Sequence, residues 1–113
     1  FARKHVVLSG GVTIPDNTWT TVAYLGHTHS GICTVHVQDS SDRGCIVGGM
    51  TTAYGATDKD TISVVNNGTT SIDYRYSNSG YVLQIHMDTP DNASRHVDWS
   101  WSGISSNEIY VTS

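Results

Sequence analysis

The stretch Ser71–Met87, SIDYRYSNSGYVLQIHM, constrains the fold more than any other part of this chain. Ile72, Tyr74 and Tyr76 alternate with Asp73 and Arg75 in its first run. Tyr81, Leu83, Ile85 and Met87 alternate with Val82, Gln84 and His86 in its second. Ser77-Asn78-Ser79-Gly80 lies between them as a turn. Period-two alternation on both sides of a glycine-containing turn predicts a β-hairpin with one apolar face. A one-residue slip would turn that apolar set to solvent, so the pairing is closely specified.

The rest of the chain reads the same way. Strands are predicted over Lys4–Thr13, with Ser9-Gly10-Gly11 as a bulge or bend, and over Trp19–Leu25, Ile32–Gln38 and Cys45–Tyr54. Further strands are predicted over Asp60–Val65, His96–Ser102 and Glu108–Thr112. Turns fall at Pro15-Asp16-Asn17, Asp39–Gly44, Asn66-Asn67-Gly68 and Gly103–Asn107. Gly26–Gly31 and Gly55–Lys59 read as loops, and Gly48-Gly49 as a bend or a close backbone approach. One Glu among 113 residues, eleven Gly and abundant β-branched residues leave no segment that favours a helix. Eight or nine short strands separated by turn signals predict a single all-β domain over 1–113, an antiparallel β-sandwich of jelly-roll-like kind. The start at Phe1-Ala2-Arg3-Lys4 reads as the C-terminal fragment of a longer chain.

Charge narrows the partners. Six Lys plus Arg against ten Asp plus Glu supply no basic face for nucleic acid or for an anionic membrane. No apolar run approaches the roughly 20 residues of a membrane helix. Cys33 and Cys45 lie on consecutive predicted strands, as free buried thiols or as a disulfide.

Candidate catalytic patterns are weak. Asp58 and Asp60 flank Lys59, and Asp88 and Asp91 bracket a proline turn, which suits turn formation more than paired acid–base work. There is no Gly-x-Ser-x-Gly elbow. Aromatic residues are more informative, because sugars stack on flat rings while Asp, Asn or Arg bind their hydroxyls. Tyr54, Tyr81 and Trp101 are the candidate platforms, with Asp58, Asn78 and Arg95 as hydroxyl partners. Trp99 and Trp101 share a face with Val97, which sends at least one of them to the core. His27-Thr28-His29 is the nearest approach to a metal motif, since imidazoles two apart on a strand project together.

The glycine-bounded GHTHSG, the short Thr/Ser/Gly-rich strands and the hairpin ending YVLQIHM resemble the C-terminal domains of bacteriophage tail spikes and tail fibres. The resemblance implies a non-catalytic homotrimeric domain on the virion tail that recognises bacterial surface polysaccharide or locks the trimer. It also implies a divalent metal held on the three-fold axis by His27 and His29. A free-standing extracellular lectin, or the carbohydrate-binding module of a secreted glycosidase, is the alternative.

Overall fold

A computed structural model describes residues 4–38, 43–67, 71–89 and 91–112. They form nine strands: β1 (Lys4–Ile14), β2 (Thr20–Tyr24), β3 (Thr28–Gln38), β4 (Arg43–Ala53), β5 (Ala56–Asn67), β6 (Ser71–Ser77), β7 (Val82–Asp88), β8 (Arg95–Ser105) and β9 (Tyr110–Val111). One sheet has five strands in the order β1-β8-β3-β4-β5, and the other has four in the order β6-β7-β2-β9. All pairs are antiparallel. The two layers are those of a β-sandwich. Parts of the turns at Asp39–Gly44 and Asn66-Asn67-Gly68, and the first three residues, lie outside the described residues.

Alternation decides what is buried. Cys33, Val35 and Val37 of β3, Ile46 and Met50 of β4, and Val97, Trp99 and Trp101 of β8 face inward from the larger sheet. Ile72, Tyr74, Leu83, Ile85 and Met87 meet them from the β6–β7 hairpin. Burying each large aliphatic side chain contributes about 1.5–3 kcal/mol relative to exposure. Tyr74 crosses the core, and its hydroxyl lies 3.1 Å from the Gly49 carbonyl and 3.2 Å from that of Asp60. Lys59, opposite Met50 on the edge strand β5, joins the layers: its ammonium meets the Asp73 carboxylate and the Tyr74 carbonyl, 4.3 Å above the Tyr74 ring.

Several glycines serve packing rather than turning. No Cβ fits at Gly48 against the Tyr74 hydroxyl, or at Gly103 against the Ser30 carbonyl. At Gly31 a Cβ would sit 2.5 Å from the Trp101 indole. Of the bulge or bend expected at Ser9-Gly10-Gly11, the bulge is absent, for the β1–β8 ladder runs unbroken through those residues. Gly10 instead leaves room for the Trp99 indole, 3.2 Å from where a Cβ would stand. The Gly26–Gly31 loop is likewise shorter than expected, since β3 begins at Thr28 and Gly31 pairs with Gly103 inside the sheet. Irregularities occur at Thr21/Ala23 and at Val47/Gly48, the latter beside the expected Gly48-Gly49 bend.

Cys33 and Cys45 are free thiols. Cys33 pairs with Gly48 on the inner face, whereas Cys45 pairs with His36 on the outer one, so the two side chains lie on opposite faces of the sheet. Burial pushes the Cys33 thiol up to about 12.

Candidate functional site: a cleft between two tyrosine turns

Three chain segments meet at one end of the sandwich. The first is the entry to β3. Gly26 adopts a left-handed φ of 73°, and its carbonyl accepts the Tyr76 hydroxyl at 2.8 Å and the His29 Nδ1–H at 3.3 Å. That fixes the backbone on which His27 stands. The second is the β4–β5 turn, Tyr54-Gly55, with φ values of 50° and 90°. Two consecutive left-handed residues make a type I′ hairpin turn, which Asn-Gly would satisfy with less strain. The third is the β6–β7 turn, Asn78–Tyr81, in which Gly80 and Tyr81 have φ of 89° and 60°.

Backbone bonds tie the three together. The Tyr54 N–H donates to the His27 carbonyl at 3.2 Å, and the Leu25 N–H donates to the Tyr81 carbonyl at 2.9 Å. The rings then converge on the imidazole. Tyr54 stacks on His27 with centroids 5.6 Å apart, and Tyr81 meets it edge-on at 6.2 Å. His27 Nδ1 pairs with Thr28 Oγ1 at 3.1 Å. Tyr54 is 85% exposed and Tyr81 43%. With Gly55 and Asn78 they line a cleft of about 460 Å³.

A left-handed φ on an aromatic residue costs about 1–2 kcal/mol, and two such residues flank one cleft. The arrangement offers an exposed flat ring, a second ring at an angle, an imidazole and an amide. That set suits a neutral polyhydroxylated ring: apolar faces stack and hydroxyls find donors and acceptors.

Of the residues singled out in the sequence, Tyr54, Asn78, Tyr81 and His27 therefore come together. The hairpin register differs from the expectation in one respect. Tyr81 is a turn residue, not a member of the buried face of Leu83, Ile85 and Met87, because the loop runs from Asn78 through Tyr81. Three other candidates lie elsewhere. Asp58 borders a separate trough of about 610 Å³ on the outer face of the larger sheet, with Ser30, Ile32, Gly49, Thr51 and Asp60. Arg95 Nη2 binds Asp91 Oδ2 at 2.8 Å, which holds the Asp91 carboxyl below its usual range. It stands ten residues along β8 from Ser105, the partner of His29, or about 33 Å away. Trp101 is no platform: it is 0% exposed, held between Gly31 and the core.

The two histidines of the His-x-His pair have different surroundings. His27 precedes the strand and faces the tyrosines. His29 is 3% exposed, and its ring packs 4.7 Å from Tyr76 and 6.0 Å from Trp101. Burial lowers the His29 pKa. Among the described residues no group of three or more His, Cys, Asp or Glu side chains is placed to hold a metal ion. Sequence reasoning missed the part His27 plays in the cleft. The available signal was Tyr54-Gly55 between two alternating runs, a two-residue turn that brings β5 back from Ala56 and sets Tyr54 beside His27.

No protein-family model matches the sequence, and no curated protein does. The fold is similar to part of the tailspike protein gp49 of the Acinetobacter baumannii bacteriophage Fri1, a capsular polysaccharide depolymerase. The TM-score is 0.63 at 12% identity, over 96% of this chain and 20% of that one. The tailspike protein of the Acinetobacter phage vB_ApiP_P1 matches at a TM-score of 0.46 and 11% identity, over 97% of this chain and 22% of that one. The chain thus has a tailspike-related fold and spans about a fifth of the length of each of these proteins.

Proposed function

We propose that this chain is a saccharide-binding domain of a phage tailspike, and that the His27–Tyr54–Tyr81 cleft holds part of a bacterial surface polysaccharide. The observation that carries the reading is the convergence of two left-handed tyrosines from separate turns on one imidazole. Strained non-glycine residues cluster at functional sites because something other than folding retains them. Similarity of fold to a capsular polysaccharide depolymerase supports the reading at the level of architecture. In this proposal the domain recognises glycan, and cleavage of the polysaccharide belongs to another part of a longer chain.

The domain would act as one protomer of a trimer on the virion tail. Val7, Ile32 and Ile104 are exposed on the outer face of the larger sheet, and Ile62, Val64 and Val65 on its edge strand β5, which supports burial against neighbouring copies.

The test is a panel of bacterial capsular and lipopolysaccharide oligosaccharides, followed by Tyr54→Ala and Tyr81→Ala variants. The proposal expects at least one ligand of submillimolar affinity and a tenfold or greater loss in each variant. A folded trimer that binds no member of the panel at millimolar concentration would overturn it.

A further inference from the structure

The outer face of the smaller sheet carries a second constellation, whose residues are distinct from those that line the cleft. Arg75 of β6, Gln84 of β7 and Thr21 of β2 stand on one rung across three strands. Arg75 Nε donates to Gln84 Oε1 at 2.8 Å, and Gln84 Nε2 donates to Thr21 Oγ1 at 3.1 Å. The guanidinium carbon lies 4.1 Å from the Trp19 ring centroid. His86 packs beside the same indole at 4.9 Å, and its Nε2–H donates to Asn17 Oδ1 at 2.9 Å.

Two features set this arginine apart. It has no carboxylate partner among the described residues, in a chain of net charge −4. The nearby acid, Asp73, is engaged by the Lys59 ammonium and the Tyr74 N–H. The guanidinium is also already ordered. Its Nε is spent on Gln84 and one face lies on the indole, so the two terminal nitrogens remain as a fork. That end of a guanidinium matches a carboxylate with two parallel charge-assisted hydrogen bonds. A side chain held in place before the ligand arrives loses less entropy on binding.

We propose that Arg75, held on Trp19 by Gln84, is a subsite for the carboxylate of an acidic sugar residue. The neutral groups around the fork fit a sugar better than a simple anion. Asn17 Nδ2 offers a donor and His86 Nδ1 an acceptor for flanking hydroxyls. The inference rests on the saccharide-binding reading of the domain, but not on the cleft.

Trp19 makes the test direct, because Trp99 and Trp101 are both in the core and Trp19 is outside it. Tryptophan fluorescence of the full chain is followed during titration with a glucuronate-containing tetrasaccharide, with its carboxyl-reduced counterpart, and with sodium acetate. The inference expects a saturable change with the acidic tetrasaccharide only, at least tenfold weaker in Arg75→Gln and in molar salt. Arg75→Lys, which keeps the charge and loses the fork, should bind several-fold more weakly than the native chain. An equal response to the reduced sugar or to acetate, or undiminished binding by Arg75→Gln, would overturn the inference. If nuclear magnetic resonance shows the acidic sugar shifting Tyr54 and Tyr81 alone, this subsite fails and the cleft stands. If the sugar shifts only Trp19, the cleft reading is the one that fails.

Discussion

At the residue scale, the strongest constraints come from side chains whose place is fixed by a missing atom elsewhere. Gly103 faces the Ser30 carbonyl and the Gly31 backbone, neither of which can swing away. Gly103→Ala is expected to cost about 1–3 kcal/mol, read as a lower urea midpoint with an unchanged slope. Tyr74→Phe should cost about 1 kcal/mol or more, because the Gly49 and Asp60 carbonyls lose their hydroxyl partner. The thiols differ sharply. Cys33 is fully buried, which pushes its thiol up to about 12, while Cys45 lies on the outer face. A thiol reagent at neutral pH should label one cysteine in the native protein and both in denaturant. His29 gives the pH dependence. Its folded pKa lies below the unfolded value of 6.5, so the unfolded chain takes up the proton first. Stability is therefore lost as pH falls below about 6.5, and His29→Gln should flatten the stability profile between pH 7 and pH 5.

At the element scale, the two tyrosine turns carry the candidate site, and they can be separated from the fold. Tyr54→Asn keeps a residue that favours a left-handed type I′ position and removes the ring. It should leave stability unchanged or raise it by up to about 1 kcal/mol, while glycan affinity falls tenfold or more. Loss of stability with unchanged affinity would make the turn merely structural. These elements also show what was legible in the sequence. The inward faces of β3, β7 and β8 follow directly from alternation, since a sheet with one dry side needs period two. The role of Gly10, Gly31 and Gly103 did not, because local sequence marks glycine as a breaker and only the opposite strand shows what lies across it, an indole at Gly10 and Gly31 and the Ser30–Gly31 backbone at Gly103. Trp101 was misplaced for the same reason: its glycine seat lies 70 residues away in sequence. The gathering of Tyr54, Tyr81 and His27 depends on which strand ends share one rim, and strand order is set by long-range contacts.

At the scale of the whole molecule, two sheets of five and four strands leave different outer faces. The larger one exposes Val7, Ile32 and Ile104, and the smaller one carries the Arg75–Trp19 rung. If the larger face and the β5 edge meet neighbouring copies, light scattering should give three times the chain mass, and Ile32→Asp or Val64→Asp should shift the mass toward one chain. A native protein of single-chain mass at micromolar concentration would favour a free-standing lectin.

Glycan binding in the cleft between the two turns can be observed residue by residue. Titrating isotope-labelled protein with an oligosaccharide of the host capsule, while following the resonances of His27, Tyr54, Asn78 and Tyr81, tests it most directly. Saturable shifts are expected at these four residues, absent in Tyr54→Asn. Binding that leaves all four resonances unmoved would contradict it.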